Sequence, residues 1–588
     1  MNFAAVYHRT ANQYCYPKDC DHLVIHIRTG YDVDRVFIHE GDPFLAGILG
    51  SMNRWTGIRT ELVERKELKH HLLWSITVTP QYKRSKYYFE LWSGDEQWFY
   101  FEDGFYTEAE MNRPGKILAY FIFPWMNPVD ILRTPDWVNR TVWYQIFPDS
   151  FCNGDPSINP EHVHPWKCEP ITGHAPTYGG DLAGIISRLP HLQRLGVTGL
   201  YMTPVFKSRS NHKYDTANYR MVDPCFGTND LLRELVDQAH ERGIRVMLDC
   251  VFNHTGTDMM MWQDILKNGP ASPYADWYMI NKFPVLPDGN TRDGRYYSFA
   301  FAERMPKLNT NNPEVRAYLL DTVRFWIETF DVDGLRLDVG NEISHLFIRE
   351  LRTMVKAMKP DFYLLGEIWH DAAEWLQGDE YDSVMNYPFA TVISNFWIYP
   401  EWTRKDFEYS INQAYTTYME QANDVIFNLL DSHDTNRLID KTGGNRDIFY
   451  QQLALLFTLP GSPCIYYGTE IIMEGSYDPD CRRCMPWEAI DRGDYDDRIR
   501  ELSSLISLRK DHPAARSSRY HFTYELPGDR ILEYVKESGD EKIKVILNCE
   551  SSAVSIPADS ISPILYSRGY ANGVLAPDGI LVHIFSDK

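Results

Sequence analysis

The sequence predicts a (β/α)8 barrel flanked by two β domains, and three observations support this α/β fold class. The chain has 588 residues, too many for one hydrophobic core. Between residues 138 and 512, short apolar strands alternate with amphipathic helices, as in a parallel barrel. Residues 1–125 and 513–588 contain only short β-rich segments broken by Gly, Pro and Asp, which is typical of β-sandwiches.

The N-terminal sandwich is predicted from four β-rich segments and is followed by a proline-containing linker over residues 126–137. The segments read LVIHIRTG, DRVFIHEG, WSITVTP and KYYFELWSG. The domain also contains the aromatic residues Trp92 and Trp98–Phe101, which could form either an interface or a core.

The barrel is predicted from eight strands, most of them followed by a helix. A long irregular insert over residues 255–305 follows the third strand, and Asn312 is a plausible N-cap for a helix over 313–330. A doubly wound sheet is the alternative, but no GxGxxG follows the first strand. The strands lie in VWYQIFPDSF, VTGLYMTPVF, IRVMLDCVFNH, VDGLRLDVG, FYLLGEIWH, SVMNYPF, VIFNLLDSHD and PCIYYGTE.

The composition argues against several classes of partner and location. A net charge of −22 and a pI near 5.3 disfavour nucleic acid as a partner. No segment approaches the 18 apolar residues of a membrane helix, and the first residues do not resemble a signal peptide, so a cytoplasmic location is predicted. The ten cysteines are scattered, which favours free thiols.

Polar side chains collect at the ends of four predicted strands. In a parallel barrel these carboxyl ends share one face, where chemistry takes place. Histidines together with acids could also indicate a metal site, but an arginine is present and HExxH spacing is absent. The residues are Asp249, Asn253, His254, Arg336, Asp338, Asn341, Glu342, Glu367, Trp369, His370, Asp431, His433 and Asp434.

Arg336 and Asp338 are the central pair of this set. Alternate residues of a strand share a face, so the two side chains point the same way. Such a pair can be a structural ion pair, or it can be a nucleophilic carboxylate that the cation keeps ionised, because a nearby positive charge lowers the pKa of a carboxyl group. The carboxylates on neighbouring strands favour the second interpretation.

The motifs DCVFNH, GLRLDVGNE, GEIWH and LLDSHD resemble the four conserved regions of the α-amylase superfamily of glycoside hydrolases. MPKLN, HKYDTANY and DPDCRRCMPWE are similar to the neopullulanase, cyclomaltodextrinase and maltogenic amylase subfamily. The resemblance covers the whole chain. It implies retaining hydrolysis of α-glucosidic bonds, with a pair of carboxyl groups as catalysts.

By motif position the resemblance implies Asp338 as nucleophile, Glu367 as acid/base and Asp434 as the third catalytic carboxylate. Arg336 would keep the nucleophile ionised and oriented, and Ile368 and Trp369 would give Glu367 an apolar setting. The resemblance further implies a substrate-binding set made of His254, Arg336, His433, Tyr214 as a stacking platform, Trp369, and Glu342 on the acceptor side.

The sequence departs from the subfamily beside the nucleophile. Leu335 stands where Trp is usual, and Gly340 stands where Ala is usual. These positions bear on fine specificity rather than on the reaction itself.

The resemblance also implies a Ca²⁺ site formed by Asn153, Asp155, Asn159, Gly179 and Asp181. Oxygen ligands from two loops suit calcium, although two Asx-rich turns would look the same in sequence.

The predicted function is hydrolysis of α-1,4 and some α-1,6 bonds in cyclodextrins, maltooligosaccharides and pullulan, with transglycosylation. A mainly α-1,6-cleaving or transferring relative and a non-catalytic glycan-binding protein are the alternatives. The resemblance implies a homodimer in which the N-terminal domain narrows the partner's cleft.

Overall fold

The computed structural model describes residues 1–46, 55–173, 175–285, 289–557 and 563–585. The described residues do not include His174 or residues 47–54, 286–288, 558–562 and 586–588. These ranges fall within the predicted domains and the predicted insert. The chain divides into two compact units. The first comprises residues 1–133, 371–379 and 401–423, and the second comprises 134–370, 380–400 and 424–588.

The first unit contains the predicted β-sandwich. All four predicted segments form strands: Leu23–Thr29, Arg35–Gly41, His71–Val78 and Ser85–Ser93. Within the described residues they belong to a four-stranded and a six-stranded antiparallel sheet. A core of apolar side chains that includes Ile25, Ile38, Trp74 and Phe89 fills the unit. The remaining strands are Cys15–Pro17, Ile58–Glu61, Glu64–Leu68, Glu96–Phe101, Gly104–Tyr106 and Phe121–Phe123.

The aromatic run near residue 100 belongs mainly to the core. Phe99, Tyr100 and Phe101 are buried, and Phe101 stacks on Tyr88 with ring centroids 4.7 Å apart. The run therefore gives no physical support to an exposed aromatic interface. The first unit also contains helix Arg404–Thr416, whose Lys405 contacts Glu67 at 2.9 Å.

The second unit contains the predicted barrel. Its strands within the described residues are β1 Trp143–Ile146, β2 Gly199–Met202, β3 Arg245–Cys250, β4 Gly334–Leu337, β5 Tyr363–Gly366, β6 Ser383–Val384, β7 Phe427–Leu429 and β8 Ser462–Tyr466. These eight strands lie side by side in the order β6-β5-β4-β3-β2-β1-β8-β7, and every neighbouring pair is parallel. A single parallel bridge between Met385 and Phe427 joins the region of β6 to β7.

Helices follow most barrel strands, as predicted. Asn312 caps helix Pro313–Phe330, and its side chain accepts from the backbone N–H groups of Glu314 and Val315. The strand predicted in SVMNYPF is present but short, since it comprises only Ser383–Val384 and Asn386 caps the helix that follows. The helices of this unit with ten or more residues are Leu182–Leu195, Asn229–Glu241, Pro313–Phe330, His345–Met358, Tyr387–Ile398, Arg446–Thr458 and Asp496–Asp511.

Two connections over the carboxyl ends of the strands shape the site. After β2, strands Phe206–Ser208 and Thr216–Val222 form an antiparallel ribbon that carries Tyr214 in its turn. The insert after β3 is more ordered than predicted, since it contains helix Met260–Asn268 and isolated bridges such as His254 to Lys307.

The C-terminal region forms an antiparallel sheet that has six strands within the described residues. Its strands are Tyr520–Phe522, Ile531–Ser538, Glu541–Asn548, Val554–Ser555, Ile564–Ala571 and Val574–Ile584. All ten cysteines are free thiols. In the described ranges, every helix is too short or too polar to cross a membrane.

Candidate active site

Arg336 lies at the centre of the site and contacts three carboxyl groups. Its guanidinium is fully buried on β4. Nη1 donates to both oxygens of Asp249 at 3.0 Å and to Asp338 Oδ1 at 2.9 Å. Nη2 lies 2.9 Å from Glu367 Oε1. Carboxyl groups from the ends of β3, β4 and β5 thus meet around one cation, as the strand-end pattern predicted.

One guanidinium does not offset three buried carboxyl groups. Burial raises the pKa of Asp338 well above its usual range, and the charges of Glu367 and Asp249 add to this effect while Arg336 opposes it. Burial also raises the pKa of Asp249 to about 6, against the lowering effects of Arg336 and the hydroxyls of Tyr201 and Tyr214. Arg336 therefore does not hold the pKa of Asp338 below its usual range as the sequence predicted, because burial outweighs the positive charge.

Glu367 has more polar surroundings than the sequence predicted. The backbone N–H of Val339 donates to Oε2 at 2.9 Å, and Trp369 Nε1 donates to Oε1 at 3.1 Å. Val339 has φ 47° and ψ 45°, a left-handed conformation that is unfavourable for a β-branched residue. This conformation directly after Asp338 turns the Val339 N–H toward Glu367.

Tyr214 and His433 form a stacked pair beside the carboxyl cluster. Their ring centroids are 5.5 Å apart and the planes are 4° from parallel. The Tyr214 hydroxyl lies 2.6 Å from His433 Nε2 and donates to Asp249 Oδ2 at 2.9 Å. These contacts fix the Tyr214 ring beside Asp249 and His433.

Asp434 is the third predicted catalytic carboxylate. It follows β7, keeps 34% of its side chain exposed, and lies 3.1 Å from His433 Nε2. Burial raises its pKa, with Arg482 opposing. Its exposure distinguishes it from Asp338 and suits a group that meets a ligand directly.

The other predicted substrate-binding residues lie in different settings. His254 is buried and stacks on Phe299 at 5.2 Å. Trp369 is half exposed and stacks on Tyr387 at 3.5 Å. Glu342 is about half exposed and pairs at 2.8 Å with Lys307, which lies just after the insert.

The sequence interpretation missed several residues of the site. Gln145 on β1 donates to His433 Nδ1 at 2.8 Å, and Tyr201 on β2 donates to Asp249 at 2.7 Å. Arg482 bonds the backbone oxygen of His433 at 3.0 Å and contacts Asp478 at 2.9 Å. A polar glutamine inside an otherwise apolar buried strand was the available signal for Gln145.

The structure brings the five predicted calcium residues together. Asn153 Nδ2 donates to Asn159 Oδ1 at 3.0 Å, while Asn153 Oδ1 is buried without a hydrogen-bond partner. Gly179 has φ 80°, and a Cβ there would lie 2.5 Å from Asn159 Oδ1. Asp181 caps helix Leu182–Leu195 and accepts from the backbone N–H groups of Gly154, Asp155 and Gly184. Among the described residues, no group of three or more His, Cys, Asp or Glu side chains is arranged to hold a metal.

Gly340 occupies a confined position behind the site. A Cβ added to it would lie 2.9 Å from the Tyr381 hydroxyl and 3.2 Å from the backbone nitrogen of Glu367. The Tyr381 hydroxyl donates to the Gly340 carbonyl at 3.0 Å. The departure from the usual alanine thus makes room for Tyr381. Leu335 is buried in β4 and faces away from Arg336.

Comparisons with known proteins agree with this architecture. Residues 145–505 match the family described as "Alpha amylase, catalytic domain", and residues 1–127 match "Alpha amylase, N-terminal ig-like domain".

Relatives match over nearly the whole chain. A cyclomaltodextrinase from Geobacillus thermopakistaniensis (strain MAS1) is 44% identical over 567 residues, covering 95% of this chain and 93% of the relative. An intracellular maltogenic amylase from Bacillus subtilis is 41% identical, with 87% and 84% covered. A solved cyclomaltodextrinase structure superposes with a TM-score of 0.88 at 37% identity, covering 100% of this chain and 98% of that one.

Replacing Gly340 by alanine tests the packing around the carboxyl cluster. We expect Gly340→Ala to lower stability by about 1–3 kcal/mol, because the new methyl group meets the buried Tyr381 hydroxyl. Tyr381→Phe removes that oxygen, so the same alanine should cost much less in the double variant. Calorimetric melting of the four proteins in this double-mutant cycle measures the coupling, and additive effects would contradict the assigned contact.

Proposed function

The chain belongs to the alpha-amylase family of glycoside hydrolases, and from this premise we propose that it cleaves α-1,4 and some α-1,6 bonds of cyclodextrins, maltooligosaccharides and pullulan. The reaction is a double displacement that retains the anomeric configuration, with transglycosylation as a side activity. The observation that carries this proposal is the contact of Arg336 with both Asp338 and Glu367 at the ends of adjacent barrel strands.

In the first step, Asp338 attacks the anomeric carbon while Glu367 gives its proton to the glycosidic oxygen. Arg336 holds the nucleophile through its bond to Oδ1, which leaves Oδ2 for attack. The bond from the sugar to the leaving oxygen breaks as a glycosyl ester forms on Asp338.

In the second step, Glu367 removes a proton from water, which then attacks the glycosyl ester and releases Asp338. A sugar hydroxyl can take the place of water, and the product is then a transglycosylation product. The N–H donors of Val339 and Trp369 fit Glu367 as the ionised form that this step requires.

The remaining residues bind the sugar. We assign the hydroxyls of the distorted glucosyl unit to Asp434, His433 and His254, and the face of its ring to Tyr214. Trp369 and Glu342 serve the acceptor side.

The catalytic assignment predicts different effects at the two carboxyl positions. Asp338→Asn keeps the volume but removes the nucleophile, so turnover should fall at least about 1,000-fold while the melting temperature changes little. Glu367→Gln should lose activity on maltotriose but keep a substantial part of it on a maltosyl fluoride, whose leaving group needs little protonation. Initial rates on both substrates measure this. An Asp338→Asn protein with more than a few percent of the wild-type rate would refute the nucleophile.

Product chromatography after incubation with β-cyclodextrin, maltotriose, pullulan and starch tests the substrate proposal. Cleavage of the first three to short maltooligosaccharides supports it. Release of products from α-1,6 bonds alone would instead indicate a debranching enzyme.

We further propose that Ca²⁺ binds beside Asn153, Asp155, Asn159, Gly179 and Asp181. The buried, unpartnered Asn153 Oδ1 supports this, since a cation would satisfy it. The Asp181 carboxylate accepts backbone N–H groups and still has lone pairs to share.

Added Ca²⁺ should raise the melting temperature by several degrees, because the ion binds only the folded protein. Asn153→Ala should abolish that rise, whereas Asn311→Ala, at an exposed asparagine elsewhere, should preserve it. Calorimetry with EDTA, Ca²⁺ and Mg²⁺ measures the effect. Identical melting in EDTA and Ca²⁺ would refute the site.

We also propose a cytoplasmic homodimer that cleaves cyclodextrins faster than starch. The relatives match across the N-terminal domain as well as the barrel, and one of them is named as intracellular. A narrowed cleft would favour small rings over branched polymers.

Sedimentation velocity of the full chain over a range of concentrations should give a dimer, and the rate ratio of β-cyclodextrin to starch should fall upon dilution to monomer. The intact chain suits this test better than a chain truncated at residue 125. Residues 401–423 pack in the first unit, where Glu420 pairs with Lys18 and Lys405 with Glu67, so truncation would expose them. A monomer at all concentrations would refute the dimer.

A further inference from the structure

We propose that Gln145 and the Asn253–Lys307 pair are positioning residues that fix the proton of two substrate-facing histidines on Nε2. Gln145 presents an amide N–H to Nδ1 of His433, and Asn253 does the same for His254. The proposal rests on the proposed function, in which both histidines donate hydrogen bonds to the sugar.

The surroundings of His433 select its tautomer from both sides of the ring. Nε2 lies 2.6 Å from the Tyr214 hydroxyl and 3.1 Å from Asp434 Oδ2. The Tyr214 hydroxyl already donates to Asp249, so its oxygen is free to accept. With a proton on Nε2, the ring donates toward the Tyr214 and Asp434 oxygens. Without that proton, Nε2 and the Asp434 oxygen would be two acceptors that face each other.

The other nitrogen of His433 leads to the same assignment. With the proton on Nε2, Nδ1 is an acceptor, and the Gln145 amide lies 2.8 Å away. Both Gln145 and His433 are about 1% exposed, so water does not replace this donor readily. The amide on β1 thus holds the tautomer of a histidine that follows β7.

At His254, Lys307 fixes the direction of the asparagine amide. The Lys307 ammonium group can only donate, and it contacts Asn253 Oδ1. The Asn253 amide nitrogen therefore faces His254 Nδ1, at 3.3 Å. His254 Nε2 is buried and has no hydrogen-bond partner among the described residues, so no protein group competes for a proton there.

Both rings are uncharged near neutral pH. Burial lowers the pKa of His254 to about 3 and lowers that of His433 well below its usual value. With the contacts described above, both histidines are therefore neutral Nε2–H donors.

Neutral donors suit an oxocarbenium-like transition state. An imidazolium beside the sugar would repel the positive charge that develops on it, whereas a neutral Nε2–H bonds a hydroxyl without adding charge. Fixing the tautomer in advance also avoids reorganisation during the reaction.

Gln145→Glu is the sharpest test, because it keeps the size of the side chain and replaces the donor by an acceptor. The carboxylate should draw the proton to Nδ1, and kcat/KM for β-cyclodextrin should fall roughly 10- to 100-fold, as expected when a buried polar group loses its partner. The loss should shrink as pH falls, since a protonated Glu donates again. Gln145→Met, which neither donates nor accepts, should show a loss that does not vary with pH.

Asn253→Asp and Asn253→Ala form the matching pair at His254. Asp keeps the contact with Lys307 but faces Nδ1 with an acceptor, so it should reduce kcat/KM more than Ala does. Calorimetric melting of all four variants separates misfolding from these effects.

¹⁵N NMR of histidine-labelled protein reads the tautomers directly, with His433→Gln and His254→Gln used to assign the signals. We expect Nδ1 unprotonated and Nε2 protonated at both residues, with the protonation reversed at His433 in Gln145→Glu. Protonated Nδ1 in the wild type, or the same pH profile for Gln145→Glu and Gln145→Met, would overturn the proposal. Asp338→Asn separates the two hypotheses. If it is inactive while the Gln145 variants behave like wild type, only the tautomer proposal fails.

Discussion

The site depends on one buried cation. Arg336 lies on β4 with no exposed surface, and the Asp249, Asp338 and Glu367 carboxyl groups all contact it. Burying a charge is costly without partners, and burying three acids without a cation would be costlier still. The cost of burying each of these charged groups is therefore offset only when the other groups are present. Burial raises the pKa of Asp338 and Asp249, and the positive charge of Arg336 opposes that rise.

The barrel makes this cluster possible because it brings distant parts of the chain to one face. Gln145, Tyr214, Asp249 and His433 come from the regions of four different strands, yet consecutive hydrogen bonds join them. With the proton of His433 on Nε2, as proposed, each bond in this series has a defined donor and acceptor. Asp249 and His433 lie at or just after strand ends that the sheet fixes, and their bonds hold Tyr214 in the turn of the ribbon after β2.

Much of this was predictable from the sequence. Periodicity and capping signals located helix Pro313–Phe330 and its Asn312 cap, and the strand-end rule placed Asp338 and Glu367 together. Three features were not predictable. The left-handed Val339 depends on tertiary contacts that outweigh local preference, the burial of Phe99–Phe101 depends on which face of a sheet is covered, and the bond from Gln145 to His433 joins residues 288 positions apart.

The barrel is held together by fewer backbone bonds at the junction of β6 and β7 than between its other neighbouring strands. Strand β6 has two residues, and the join to β7 consists of one bridge between Met385 and Phe427, with an amide pair between Asn386 and Asn428 beside it. Other neighbouring strands share registers of up to four residue pairs. Local opening requires least free energy where the fewest backbone bonds must break. The barrel therefore opens at least cost in free energy between β6 and β7, where the two edge strands of the sheet meet.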